Sequence, residues 1–332
     1  MNEGITVAGG GSFGTALAHV LAICGHRPFL WLRDKELAAC INERHENVRY
    51  LPGKKLQDGI QATNDPSVLE APVVVLALPC QRLRGWLTAH AHHFRQGALF
   101  CNVAKGLEIE SLATCSRIIF ETLGHLSPNY AVLSGPSFAR EVVEGLPTAV
   151  VLAAKDPLLG RRVRDLFSCS FFRCYFSQDV TGVEMGGALK NVIALAAGLC
   201  DGLGLGHNSR AALITRGLAE IRRLGVALGG MAQTFMGLSG LGDLTLTCTG
   251  DLSRNRQVGL ALAAGESLAE VSQRLGMVAE GVTTTRAAYT LAHRLGCEAP
   301  LTEAVHAVLY DAQAPRDVLK ELLSRRVRDE NE

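Results

Sequence analysis

The 332-residue chain is short of the features that mark specialised proteins. It lacks a charge imbalance: 33 Lys and Arg face 32 Asp and Glu, a formal net charge of +1. No long-range field therefore draws it to nucleic acid or an anionic bilayer, and any anion site has to be local. It lacks a long apolar run. The longest, residues 192–205, is too short to span a bilayer and contains Asp201, so no membrane segment is expected. Its ten cysteines include no Cys-x-x-Cys pair and no histidine spacing suits zinc, so neither a metal site nor a disulfide framework is expected. Reduced, mostly buried thiols of a cytoplasmic protein are the reading that remains. Met1-Asn2-Glu3-Gly4 leads into the first apolar strand without a basic region or an apolar signal core, in keeping with that location. Internal repeats and low-complexity linkers are missing as well.

What is present is a change of pattern along the chain. The length exceeds the usual size of one core, which predicts two domains. Short apolar runs at residues 5–8, 28–32, 73–78, 98–103, 130–133, 149–153 and 171–176 read as strands, several apolar enough to be covered on both faces. Helix-period segments such as 15–23, 112–123 and 157–167 lie between them, and this alternation predicts a parallel, doubly wound α/β sheet of Rossmann type. Beyond about residue 178 the strand signal stops. Residues 180–203, 210–228, 257–264, 268–275, 283–295, 301–310 and 317–326 read as helices, with Gly202, Gly204 and Gly206 ending the first. The expected organisation is a dinucleotide-binding domain over 1–178 and an all-helical substrate domain over 179–332.

Gly9-Gly10-Gly11-Ser12-Phe13-Gly14 follows the first strand and opens a helix. Gly9 allows a tight turn, Gly11 lets the backbone approach a pyrophosphate, and Gly14 lets the helix pack on the sheet. The second strand ends Trp31-Leu32-Arg33-Asp34, where a carboxylate suits the ribose diol of NAD and an arginine suits a 2′-phosphate. Arg33 occupies the expected place, which favours NADP(H) and leaves NAD(H) open; a solvated charge pair is the plain alternative. Lys105 follows an apolar strand and precedes a glycine, which directs it towards the crevice beyond the strand ends; an ordinary surface lysine is the plain alternative.

Lys190 is the only charge between Glu184 and Asp201. Burial of a lysine lowers its pKa towards the range useful for proton transfer, unless the side chain snorkels to water. Gly237-Leu238-Ser239-Gly240-Leu241-Gly242-Asp243 reads as a flexible turn that delivers one carboxylate, either a helix cap or a partner for Lys190. Ser253-Arg254-Asn255-Arg256 joins an arginine fork to hydroxyl and amide donors, a set suited to a phosphate dianion or to a solvated basic turn.

Together these segments resemble the NAD(P)-dependent glycerol-3-phosphate dehydrogenases of the bacterial type. The resemblance runs in order through the glycine turn, Tyr50-Leu51-Pro52-Gly53, Ala104-Lys105-Gly106, Ser134-Gly135-Pro136-Ser137-Phe138-Ala139, Gly187-Ala188-Leu189-Lys190-Asn191, Leu241-Gly242-Asp243-Leu244, Thr247-Cys248-Thr249, Ser253-Arg254-Asn255-Arg256 and Val278-Ala279-Glu280-Gly281. It implies a helical second domain like that of 6-phosphogluconate dehydrogenase, and reversible reduction of dihydroxyacetone phosphate to sn-glycerol 3-phosphate that supplies glycerophospholipid synthesis. Lys190 matches the family's proton donor/acceptor. Lys105, Gly135, Ser137, Asp243, Ser253, Arg254 and Asn255 match its substrate site, with Asp243 read as the partner that orients Lys190. Ser12, Phe13, Arg33, Lys105, Ala139, Arg254, Val278 and Glu280 match its cofactor contacts. The chain departs from the pattern at Gly10, where alanine is usual, and at Cys80, where a hydroxyl residue is common and a thiol invites thiol reagents. Helical domains of this kind often pair, so a homodimer is the expected assembly. A β-hydroxyacid dehydrogenase, which recognises a carboxylate, and a non-catalytic nicotinamide sensor are the competing readings.

Overall fold

The computed structural model describes residues 4–275 and 279–326. In its first half β1 (Ile5–Ala8) leads to α1 (Ser12–Ile23), β2 (Phe29–Trp31) leads to α2 (Lys35–Arg44), and β3 (Gln61–Thr63) follows. Then come β4 (Val73–Leu76) with α3 (Cys80–His90), β5 (Leu99–Asn102) with α4 (Cys115–Leu123), and β6 (Asn129–Ser134) with the short α5 (Ala139–Val143). β7 (Thr148–Ala153), α6 (Pro157–Phe167) and β8 (Phe172–Ser177) complete this half.

The eight strands form one sheet in the order β3-β2-β1-β4-β5-β6-β7-β8. The first six are parallel, in the doubly wound arrangement whose direction of winding reverses between β1 and β4. β1 and β4 are buried along their whole length, as expected of strands covered on both faces. One side of the sheet packs α1, α2 and α6, and the other packs α3 and α4.

Two features depart from the sequence pattern. β3 has only Ala62 buried between Gln61 and Thr63, too short and polar to register as an apolar run. The sheet is also not wholly parallel: β7 pairs antiparallel with β6, and β8 then runs parallel to β7. The five-residue α5 spans only about 7 Å, much less than a six-residue strand, so it does not carry the chain back for a parallel return.

The second half is helical: α7 (Val180–Gly202), α8 (Gly206–Ala227), α9 (Asp243–Thr249), α10 (Arg254–Ala263), α11 (Leu268–Leu275), α12 (Glu280–Leu295), α13 (Pro300–Tyr310) and α14 (Pro315–Ser324). α7 is the central post, surrounded by α8, α9, α10 and α12. It is long and apolar enough to cross a bilayer, but 94% of its most apolar stretch is buried inside the protein. Asp179 caps it, accepting from the Gly182 amide with one oxygen and from the Met231 amide and the Thr234 hydroxyl with the other. Some boundaries shift. Gly206 begins α8 rather than ending α7, and Ser253 caps α10 so that Arg254 and Asn255 fall inside the helix. α9 had not been expected. All ten cysteines are free thiols.

Candidate active site

The phosphate turn lies at the C-terminal end of β1, beside the β1/β4 reversal. Gly9 has φ +124°, and a Cβ there would lie 2.3 Å from the Ala77 carbonyl oxygen; one on Gly14 would lie 2.0 Å from that of Gly9. These two glycines are therefore demanded by the protein's own packing. Gly11 is different: a Cβ there would meet no atom within 4 Å. Its bare backbone stands at the N-cap of α1, where no side chain caps the helix and no acidic residue occupies the first turn. Open amides at the positive end of a helix fit a pyrophosphate.

The turn is braced from behind. Buried Asn47 donates its amide N–H groups to the Gly10 carbonyl (2.9 Å) and the Thr15 hydroxyl (2.8 Å), and Ser12 Oγ donates to the Tyr50 carbonyl (2.9 Å). Phe13 packs on the core with its ring centroid 6.0 Å from Lys105 Nζ. Arg33 is exposed between β2 and α2. Asp34 is occupied locally: Oδ1 accepts from the Leu37 amide, and Oδ2 accepts from Arg49 at 2.7 Å.

Lys105, three residues past β5, reaches across to the helical half. Its Nζ donates to Asp243 Oδ2 (2.6 Å) and to the Gly135 carbonyl (3.2 Å). Lys190, midway along α7, donates to the other oxygen of the same carboxylate, Asp243 Oδ1 (2.5 Å), and to Thr247 Oγ1 (2.8 Å). Thr247 in turn donates to the Asp243 carbonyl, so its lone pair is what faces the ammonium. An ammonium has three N–H groups, so after these two partners Lys190 keeps one donor for a further acceptor among the described residues' contacts.

The segment expected as a flexible turn is helical. Leu238–Gly242 forms a single π-helical turn that runs directly into α9, with Asp243 as the first residue of that helix. Asp243 is 1% exposed and caps nothing; its side chain is given to the two lysines. A Cβ on Gly240 would strike the Phe235 carbonyl at 2.1 Å, so this glycine serves close packing, not mobility.

Burial draws Lys190 down to about 8, with the Lys105 charge adding to the fall and Asp243 opposing it. For Asp243 burial acts upward, but the Lys105 and Lys190 ammonium groups outweigh it and hold the carboxyl below its ordinary range. Burial raises Glu280, at the start of α12, against the pull of Arg254, Lys105 and Lys190. Two ammonium groups share one carboxylate here, with the Glu280 carboxyl within reach of their charges.

Gly135 joins this centre, its carbonyl accepting from Lys105, and other candidate residues are spread over α5, α10 and α12. Gly135 has φ +145°, and a Cβ there would press on Val150 at 2.9 Å. Ser137 Oγ donates to the Gly135 carbonyl (3.0 Å), and Ala139 opens α5. Ser253 is buried and Arg254 exposed at the start of α10. Asn255 donates to Asn191 Oδ1 (2.8 Å) and accepts from the Gly281 amide (2.9 Å), joining α10 to α7 and α12. Val278 lies outside the described residues. Arg33 belongs to a separate neighbourhood at the end of β2. Cys80 is buried, with its sulfur 3.7 Å from that of Cys115.

Two contributors were quoted in motifs without a role: Thr247, four residues beyond Asp243 on one face of α9, and Asn191, whose Nδ2 is a buried donor with no protein partner among the described residues. The Ser134 hydroxyl, close to Gly187 and the Lys105 stem, is likewise buried and unpartnered there.

A chain that offers a helix N-terminus to a dinucleotide and, nearby, a buried lysine–carboxylate cluster able to trade a proton is built as a pyridine-nucleotide-dependent oxidoreductase. Comparison with known proteins narrows the class. Residues 4–159 match the family described as NAD-dependent glycerol-3-phosphate dehydrogenase N-terminus, and residues 179–320 match its C-terminal counterpart. The chain belongs to the NAD-dependent glycerol-3-phosphate dehydrogenase family. A glycerol-3-phosphate dehydrogenase [NAD(P)+] of Desulfovibrio desulfuricans is 63% identical over 98% of both chains. The crystal structure of glycerol-3-phosphate dehydrogenase from Coxiella burnetii superposes with a TM-score of 0.93 at 37% identity, covering 98% of this chain and 99% of that one. That of the Saccharomyces cerevisiae enzyme gives 0.81 at 29% identity, covering 98% and 100%.

Proposed function

We propose that the protein reduces dihydroxyacetone phosphate reversibly to sn-glycerol 3-phosphate with NADPH or NADH, with Lys190 as the proton donor and acceptor. The observation that carries this reading is the shared Asp243 carboxylate, which holds the buried Lys190 ammonium on one side and Lys105 on the other. When bound, the nicotinamide supplies or accepts the hydride at C2 of the substrate. Lys190 points its remaining N–H at the C2 carbonyl oxygen and gives up that proton as negative charge develops there. In the reverse direction the neutral amine takes the proton from the hydroxyl. Asp243 keeps the ammonium oriented. Ser253, Arg254 and the second N–H of the Asn255 amide hold the phosphate, while Lys105, Gly135 and Ser137 complete the substrate site and fix the reacting carbon in line.

Gly9, Gly11, Ser12, Phe13 and Gly14 would cradle the cofactor's pyrophosphate. Arg33, Lys105, Ala139, Arg254, Val278 and Glu280 would line the rest of its length. In this reading residues 1–178 form the nucleotide domain and 179–332 the substrate domain of a cytoplasmic homodimer that feeds glycerophospholipid synthesis. Purified protein mixed with NADPH and dihydroxyacetone phosphate, then with NADH, tests it through loss of the reduced-nicotinamide absorbance. Rapid loss is expected with at least one nucleotide; no loss with either discards the substrate assignment.

A further inference from the structure

We infer that Arg49 is a specificity-determining residue for the cofactor, forming with Arg33 a two-armed receptor for the 2′-phosphate of NADPH, and that Asp34 holds Arg49 in place instead of binding a ribose diol. This rests on the nucleotide reading of the glycine turn.

The residue after β2 that would hold a diol is already engaged. Asp34 Oδ1 accepts from the Leu37 amide (2.9 Å), capping α2, and Oδ2 accepts from Arg49 Nη1 at 2.7 Å. Both oxygens face donors of the protein itself, and the charge is offset by the guanidinium. The hydrogen bonds from Leu37 and Arg49 hold this carboxyl below its ordinary range, which keeps it ionised and paired.

Arg49 is itself fixed to the nucleotide turn through its neighbours. Tyr50, next in sequence, accepts from Ser12 at the head of α1, and Asn47, two residues earlier, binds the Gly10 carbonyl and the Thr15 hydroxyl. The segment that carries Arg49 is thereby tied to the turn that would carry the pyrophosphate. The Arg49 side chain remains 56% exposed while it engages both the Asp34 carboxylate and the Tyr50 side chain. Exposed Arg33 stands next to Asp34 in sequence, so one carboxylate lies beside two guanidinium-bearing residues at the end of β2. A surface ion pair contributes little to stability. Stability thus gives weak reason for the arrangement, whereas a phosphate dianion next to the ribose gives a direct one.

Full-length wild type, R49A and D34N, which keeps a capping oxygen, would be titrated with NADPH and NADH by nucleotide fluorescence. Displacement by 2′,5′-ADP would be compared with displacement by 5′-ADP. R49A is expected to weaken NADPH and 2′,5′-ADP by about tenfold or more and to leave NADH and 5′-ADP within about twofold. D34N is expected to leave NADH within about twofold and to weaken NADPH severalfold, because Arg49 loses the carboxylate that holds it; unchanged or tighter NADPH in D34N overturns the positioning role of Asp34. Equal losses of both nucleotides in R49A, or no loss of either, overturn the inference. So does a tenfold weakening of NADH in D34N, which would make Asp34 a diol ligand. Nucleotide binding by wild type without turnover of dihydroxyacetone phosphate would remove the proposed reaction and leave this inference intact; no binding of either nucleotide would remove both.

Discussion

A primary amine ordinarily titrates far above neutrality, and Lys190 sits about 8 because burial penalises its charge while Asp243 stops the fall. In the proposed mechanism reduction needs the ammonium and oxidation needs the amine. With saturating substrates, the rate of dihydroxyacetone phosphate reduction should fall as pH rises through about 8, and glycerol 3-phosphate oxidation should rise over the same interval. Pause at either limb would be read from a pH–rate profile; identical profiles in the two directions would contradict the assignment. K190A should lower turnover by at least about a hundredfold, with the fluorescence-measured affinity for NADPH nearly unchanged. Lys190 was legible in the sequence because a lone charge in an apolar helix is conspicuous. Asp243 was legible as a candidate, with its cap alternative open. Thr247 and Asn191 were not, since threonine and asparagine are ordinary in helices and only the folded turn of α9 and the crossing of α7 with α10 bring them to the centre.

Among the elements, the helical half is joined by buried carboxylates as well as by apolar packing. Glu220 on α8 accepts from the Leu301 amide (2.6 Å) and from the amide and hydroxyl of Thr302, so it caps the start of α13 from a neighbouring helix. Burial lifts its carboxyl from the ordinary 4.5 to about 7, against the pull of these donors. A folded-state pKa above the unfolded one favours the protonated form. The associated stability is full below about 4.5 and is lost as pH rises through about 7, a change on the order of 3 kcal/mol. Urea unfolding should show this slope between those pH values in wild type, and E220Q should flatten it; an unchanged slope would place the titration elsewhere. Strand and helix alternation was readable because burial on both faces leaves nearly continuous apolar runs. The antiparallel pairing of β6 and β7 was not, because direction depends on the length of α5, which short apolar stretches do not announce. The π-helical form of the turn before α9 was not readable either: glycine at 240 is set by the approach of the Phe235 backbone, and sequence alone does not separate close packing from freedom.

Over the whole molecule, Lys105 comes from the loop after β5 and Lys190 from α7, yet both end on Asp243. Lys105 lowers the Lys190 pKa through charge repulsion, so K105M should move the break in the pH–rate profile upward. A downward shift would mean that Lys105 acts mainly through the geometry of Asp243. Fold class was legible at this scale because the loss of strand signal near residue 178 is abrupt, whereas no pattern in one chain announces a bond between residues 138 positions apart. That bond makes chemical competence a report on assembly. A nascent or nicked chain whose sheet half and helical half have not met holds an acid without its second cation and a base without its tuning. Such a partly built molecule would keep the Lys190–Asp243 pair but hold its amine protonated to a higher pH than the assembled one does.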